Sequence, residues 1–530
     1  MLDANALKEG CVDRPENAGN VAAKDFQHGS AVDPRDNLPN ANSRSCFEIV
    51  RVMDASVLVK KRIYLVLNRY FLYTQTPANG QASAERVAVT TGRQFPFPYA
   101  CSRPFPMQFP ERPTVYLDVS LMMGNRRNTG IQRVVRDLAA VAPQVCGEFR
   151  YNCRLIHCVG GQFYRLRYNL IDLASQDWVS RLVRRKLGRQ LVNNSIPRFS
   201  SPLAPLEMDR VITLNATWDD PQWLPALSRL GRQCHISSVV HDLIPLTHPQ
   251  FHTDELVRRF GEWFAGLAAT VPNIVATSSV GRAAITDWLN RNSAATPRVS
   301  QFRLTSGLRA EDSPLKLVTA SGQVGGIRES LQAYFSGEPV LLGVGTLEPR
   351  KNHRQLLDAC DRLWAEGWKG RLLLIGAVGW KTEELQTRIA GYSPGQILQL
   401  TDATDQELSF AYRQADALIF PSWTEGFGLP IVEALEAKLP VILSDTEIHR
   451  EVAGRAAAYF PLDDCNRLAE LIRQHSHNRF ADLRTQANQY SHVNCYESFR
   501  SLLCDAIVAG RGFEGKIHNT PPWLKTQKVA

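Results

Sequence analysis

Short apolar runs recur along the chain from residue 112 onward, and stretches with helical spacing separate them. The runs lie at 114–120, 210–214, 236–240 and 273–277, then at 339–344, 371–375, 396–400, 417–420 and 440–443. They are rich in Val, Ile and Leu and mostly uninterrupted, the pattern of parallel strands buried on both faces. Between them, apolar residues spaced for one helix face run over 131–141, 353–366 and 405–415. Strands alternating with helices predict α/β units with parallel sheets covered on both sides. Two such units follow one another, each expected to be doubly wound, with a cleft between them. Ligands of such sheets bind beyond the carboxyl ends of the strands.

The same pattern sets expected boundaries. Residues 1–111 form an N-terminal extension, partly disordered: 1–45 lack apolar periodicity and 74–111 carry many Pro, Gly, Ser and Thr. Within it, 57–73 is apolar with interleaved basic residues. This reads as an element packed on the main body, with a basic amphipathic membrane helix as the alternative. The first α/β unit spans 112–310, a polar linker 311–337, the second unit 338–490, and a C-terminal helix and tail 491–530.

Composition narrows the class. The chain of 530 residues is 44% apolar and 21% charged, as in a water-soluble globular protein. It has no uninterrupted apolar run of about 20 residues and no secretory signal at its start. Eleven scattered cysteines without a Cys-x-x-Cys pair suggest reduced thiols and a cytoplasmic setting. The net charge of +9 favours anionic ligands such as phosphorylated small molecules or an anionic membrane.

Four strand-end loops carry candidate chemistry. After 417–420 comes Pro421-Ser-Trp-Thr-Glu-Gly-Phe-Gly-Leu-Pro430, which then becomes helical. Pro430 suits a first helical position, Gly426 and Gly428 allow close backbone approach, and the helix start favours an anion. Glu433 is expected in the first turn, where an acid alone would also serve as a cap. After 339–344, Gly343-Val-Gly-Thr-Leu-Glu-Pro-Arg-Lys-Asn352 resembles a dinucleotide fingerprint only superficially, because Glu348 replaces the third glycine. It delivers Arg350 and Lys351 to the cleft, a pair suited to a diphosphate. In the first unit, Asn128-Thr-Gly-Ile-Gln-Arg133 opens a helix and Val239-Val-His-Asp-Leu-Ile-Pro245 brings His241 to a strand end. His241, His248 and His252 lack the spacing and partners of a metal site, so no metal is expected.

Together these residues resemble the retaining family 4 glycosyltransferases, which have the GT-B fold of two facing Rossmann-like units. The resemblance covers roughly 112–505 and is strongest over 340–462. It rests on Glu425 and Glu433 of Glu-x7-Glu, the run 345–353, Thr129-Gly-Ile-Gln-Arg133, Val240-His-Asp-Leu243 and Glu451-Val-Ala-Gly454. The resemblance implies that Glu433 holds the nucleotide ribose and that Glu425 contacts the donor sugar. It places Gly426, Phe427, Gly428 and Leu429 near sugar and phosphates, Lys351 on the diphosphate, Gly130 under the phosphates and His241 near the reacting centre. One position departs from the family: Thr346 stands where many members have arginine, and Arg350 is the candidate for the missing charge.

A nucleotide sugar, GDP- or UDP-linked, is therefore the expected donor, with no cofactor or metal. The expected acceptor is a glycan or lipid-linked glycan, and the resemblance leans towards mannose transfer in bacterial surface polysaccharide synthesis. Nucleic acid is not an expected partner. The basic cluster at 181–189 leaves a peripheral contact with an anionic membrane open. Three other classes stay open from the residues: a sugar-nucleotide epimerase of the same fold, a glycoside hydrolase using the two acids, and a non-catalytic polyanion-binding protein.

Overall fold

The apolar runs form two sheets. The computed structural model describes residues 112–120, 130–166, 200–214, 217–305 and 327–509. The chain separates into two compact bodies, Met1–Phe97 and Pro98–Ala530; both α/β units, and everything described, belong to the second body. The expectations for the extension 1–111, for 57–73 and for 181–189 fall on residues outside those described.

The first sheet holds β1 Thr114–Asp118, β2 Asn152–Val159, β3 Gln162–Leu166, β4 Arg210–Thr213, β5 His235–Val240, β6 Asn273–Ala276 and β7 Arg298–Gln301. Its order is β3-β2-β1-β4-β5-β6-β7. The second holds β8 Val340–Val344, β9 Arg371–Ile375, β10 Ile397–Leu400, β11 Ala417–Phe420, β12 Val441–Ser444 and β13 Ala457–Phe460, in the order β10-β9-β8-β11-β12-β13. Counted within each unit, both sheets contain the doubly wound order 3-2-1-4-5-6. Its topological switch lies between the first and fourth strands, where a ligand crevice opens.

The first sheet is not purely parallel, as the apolar runs predicted. β2 and β3 pair antiparallel through a hairpin whose turn uses Gly160 and Gly161 at φ 56° and 75°. Arg154, His157 and Arg165 break the apolar runs of these two strands, which is why the hairpin is hard to read. Both faces are buried nonetheless. Along β1, Val115 and Leu117 join one core cluster and Tyr116 another; along β8, Val340, Leu342 and Val344 face one side and Leu341 the other. One cluster is continuous through both sheets and takes in Phe499, Leu502 and Leu503 of the last helix, Cys495–Val508.

That helix fastens to the first unit. Asp505 accepts from Ser300 Oγ at 2.5 Å and pairs with Arg298 at 2.7 Å, and Tyr496 donates to Glu148. The linker expected over 311–337 ends sooner than the polar composition suggests. Glu329–Tyr334 is helical, buries Leu331, and anchors Tyr334 Oη on the Leu372 and Gln396 carbonyls at 2.9 and 3.0 Å. None of the described cysteines is in a disulfide.

Candidate functional site

The candidate loops meet at the switch points of the two sheets. β8 and β11 are neighbours, and the loops leaving their carboxyl ends are joined where Trp423 N–H donates to the Arg350 carbonyl at 2.8 Å. This brings Glu425 between two cations. Lys351 Nζ donates to its Oε1 at 2.6 Å and Arg350 Nη1 to its Oε2 at 2.8 Å. Arg350 also binds Glu348 Oε1 through Nε at 2.6 Å. Glu425 and Lys351 side chains are 6% and 8% exposed, so the pair is nearly dry. Burial alone would raise the Glu425 carboxyl, but the Arg350 and Lys351 charges outweigh it and hold the group well below the usual carboxylate range.

Lys351 is shaped from two further sides. Its ammonium lies 4.7 Å from the Phe420 ring centroid. Gly345, at φ 142°, passes so close that an added Cβ would sit 3.2 Å from Lys351 Cε. Thr346 is half-buried beside it and supplies no charge. Arg350 therefore stands as the second cation of this loop.

The turn after β11 ends in Gly428 at φ 88°, directly before the helix Leu429–Glu436. The helix begins at Leu429, so Pro430 takes its second position, where a missing N–H still costs no intrahelical bond. Glu433 lies beyond the first turn, not within it, and does not cap the helix. Its carboxylate is buried and bridges the two units. Oε1 accepts from Arg133 Nη2 at 2.5 Å and Oε2 from Tyr412 Oη at 2.7 Å. Phe427, expected near a sugar, is 5% exposed and packs into the shared core, its ring 6.0 Å from His492. An apolar ring beside the strands gains more from that core than from a wet cleft.

The facing wall comes from the first unit. Gly130 opens the helix Gly130–Glu148, and a Cβ there would meet Leu429 Cδ1 at 2.8 Å. A Cβ on Gly426 would meet Asp242 Cβ and the His241 carbonyl oxygen, both at 2.9 Å. At these two glycines the units come into close contact. Ser278 Oγ donates to the Gly426 carbonyl at 3.2 Å, and Glu451 accepts from the Ser279 and Val280 amides at 2.7 and 3.0 Å. His241 is buried, with Nε2 2.9 Å from the Leu214 carbonyl. A carbonyl can only accept, so Nε2 carries the proton and Nδ1, which has no partner, presents a lone pair. Burial lowers its pKa, leaving the ring neutral.

The structure thus groups Glu425, Lys351, Arg350, His241, Gly130, Gly426, Gly428, Leu429 and Glu433 around the contact between the two α/β units, with the Phe427 side chain packed into the shared core. Sequence reasoning gave no separate role to Arg133, Tyr412, Asp242 or Glu348. Arg133 and Asp242 lie inside quoted motifs and were within reach. Tyr412, on the helix Asp405–Gln414, had no local signal.

Residues 328–492 match the family model of glycosyl transferases group 1. A serotype-specific mannosyltransferase WbdA of Escherichia coli is 27% identical over 370 residues, covering 68% of this chain and 42% of that protein. The O-antigen chain mannosyltransferase B of Escherichia coli is 33% identical over 174 residues, 31% of this chain and 46% of the relative. The O-antigen chain mannosyltransferase RfbU of Salmonella typhimurium is 29% identical over 127 residues, 24% of this chain and 35% of the relative. The chain thus spans less than half the length of these relatives. Its second unit carries a glycosyl transferases group 1 segment, and its two facing Rossmann-like units are the GT-B arrangement.

Proposed function

We propose that the chain is a retaining glycosyltransferase that moves mannose from a nucleoside diphosphate sugar, GDP-mannose first among candidates, to a glycan or lipid-linked acceptor in bacterial surface polysaccharide synthesis. The observation that carries this is the buried Glu425–Arg350–Lys351 network, built on adjacent strand ends at the switch point. The mannosyltransferase relatives support the choice of sugar and process.

Breaking the sugar–diphosphate bond leaves negative charge on the departing phosphate. Fixed cations and helix N–H groups in a dry site stabilise that charge without reorganising. Lys351, Arg350 and the start of the Leu429–Glu436 helix fill this role, with no divalent metal needed. Glu425 holds the two cations in place and contacts the donor sugar. Glu433 receives the ribose hydroxyls, its two oxygens retaining capacity beyond their present bonds. Gly130 and Gly426 let backbone approach the phosphates and sugar, and neutral His241 faces the reacting centre. The acceptor attacks on the face from which phosphate leaves, and that phosphate oxygen takes the acceptor proton. Among the described residues no helix is long and apolar enough to cross a membrane. A peripheral seat on the inner membrane face, near a lipid-linked acceptor, is part of the proposal.

A hydrolase needs one carboxyl that keeps its proton near neutral pH. Glu425, held charged by two cations, is poorly suited to that. The test is a screen of GDP- and UDP-sugars by thermal unfolding, then by transfer to a mannosyl acceptor. GDP-mannose at a hundred times its dissociation constant is expected to add about 2.7 kcal/mol of stability. Transfer should retain the anomeric configuration. Conversion of the donor without acceptor would favour an epimerase, and no stabilisation by any nucleotide sugar would overturn the reading.

A further inference from the structure

A second cavity opens on the other side of the Pro349–Lys351 turn. Its volume is about 480 Å³, within the range of about 300–1,000 Å³ typical of small-ligand clefts. Residues of the second unit alone line it, between the start of the helix His353–Ala365, the 381–385 segment and the Asp463–Cys465 corner. Neither Lys351 nor Glu425 lines it, so it is separate from the crevice described above.

Its cations are already engaged, which argues against a phosphate ligand. Four carboxylates (Glu348, Asp358, Glu384, Asp463) and two cations, Arg354 and Lys381, line it, and Glu348 and Asp358 are themselves paired with Arg350 and Arg388, each at 2.6 Å. Arg354 is already paired with Glu384 at 2.5 Å, and Lys381 donates to the His252 carbonyl at 3.0 Å. His353 adds no charge: burial, with the nearby Lys351 charge, pushes it down to about 4. Nor is a metal set present, since the described residues contain no cluster of three or more His, Cys, Asp or Glu able to hold an ion. What remains is a wall of carboxylates, the amides of Asn352 and Gln355, the Thr382 hydroxyl and one indole, Trp423. Hydroxyl-rich neutral rings meet such a wall well: carboxylates accept from hydroxyls, amides both accept from and donate to them, and the indole face packs against C–H groups. His353, 5% exposed and part of this wall, also keeps a buried Nδ1 with no partner.

The cavity touches the reacting centre through two residues. Glu348 lines it and binds Arg350; Trp423 lines it and lies two positions before Glu425. Its rim reaches the first unit, where the Phe251 ring lies 6.4 Å from Trp423. We infer that this cavity is a binding subsite for a neutral oligosaccharide, holding a sugar of the acceptor or of the elongated glycan beside the site of transfer. The link to transfer rests on the function proposed above; the binding itself does not.

The experiment titrates mannotriose into the full chain without nucleotide, by calorimetry or ligand-observed NMR. Nucleoside diphosphate binding and sugar transfer are measured in parallel. Cys465→Trp places a ring into the cavity from a half-exposed wall position outside the catalytic network. Trp423→Ala removes the stacking face. Wild type is expected to bind mannotriose, each variant to bind it at least tenfold more weakly, and Cys465→Trp to keep its nucleotide affinity within twofold. Equal mannotriose binding by wild type and Cys465→Trp would overturn the inference. So would its displacement by inorganic diphosphate, or no mannotriose binding by a wild type that still transfers sugar. Cavity-dependent mannotriose binding by a chain that binds no nucleotide sugar would sink the transferase reading and leave the subsite standing.

Discussion

Arg133 and Glu433 lie 300 positions apart in the chain and share one buried contact at 2.5 Å, with side chains 10% and 1% exposed. The pair ties the helix Gly130–Glu148 of one unit to the helix Leu429–Glu436 of the other. A buried charge left without its partner is costly, whereas replacing both partners by apolar residues of similar volume is often nearly neutral. Arg133→Ala alone and Glu433→Ala alone are each expected to lose about 3–5 kcal/mol. The double variant should lose much less than their sum, a coupling of at least about 1 kcal/mol in a denaturation cycle. Additive losses would mean that the contact carries no net interaction. Glu433→Ala should in addition weaken nucleoside diphosphate binding; unchanged affinity would remove Glu433 from the ribose role.

Lys351 is expected to act only as charge develops on the leaving phosphate. Lys351→Ala should therefore lower turnover by about 10²–10³-fold, as loss of one oxyanion donor does in other sites. Acceptor KM should change little. Single-turnover kinetics read this directly, and near-wild-type turnover would reject the assignment.

Two buried groups place stability losses in different pH windows. The His353 pKa is depressed from 6.5 to about 4 in the folded protein. The unfolded chain binds more protons between those values, so this contribution is full above about 6.5 and is lost as pH falls towards 4. Glu425 is a depressed carboxyl: its contribution is present above its ordinary 4.5 and is lost as pH falls below that. His353→Gln should flatten the stability curve in the upper window, and Glu425→Gln chiefly in the lower. Urea unfolding at a series of pH values would show it; identical slopes in variant and wild type would contradict the burial of the charge.

Gly426 is a close-approach glycine across the two units, while Gly428 is a backbone-conformation glycine at φ 88°. Gly426→Ala drives a methyl into the His241 carbonyl and Asp242, an overpacking expected to cost about 1–3 kcal/mol and to spread the units. Gly428→Ala should cost stability without separating them. Small-angle scattering distinguishes the two. An unchanged radius for Gly426→Ala would show that the units do not depend on this approach.

Much of the architecture follows from the sequence taken alone. A strand buried on both faces must be apolar at successive positions, so β1, β4 to β6 and β8 to β12 announce themselves. The strand-end loops, with their glycines and the adjacent Arg350 and Lys351, were equally legible because backbone freedom and charge are local properties. The β2–β3 hairpin was not, since β3 is an edge strand and exposed Arg154 on β2 and Arg165 on β3 interrupt the apolar pattern. Nor were the partners of the two acids. Sequence placed Glu425 and Glu433 on one loop and helix, as a pair. Only the tertiary structure separated their surroundings, giving Glu425 to Arg350 and Lys351 on the neighbouring strand end and Glu433 to Arg133 and Tyr412. The reason is physical: a buried carboxylate takes its properties from the charges within a few ångströms, and those come from residues that only the folded sheets bring near.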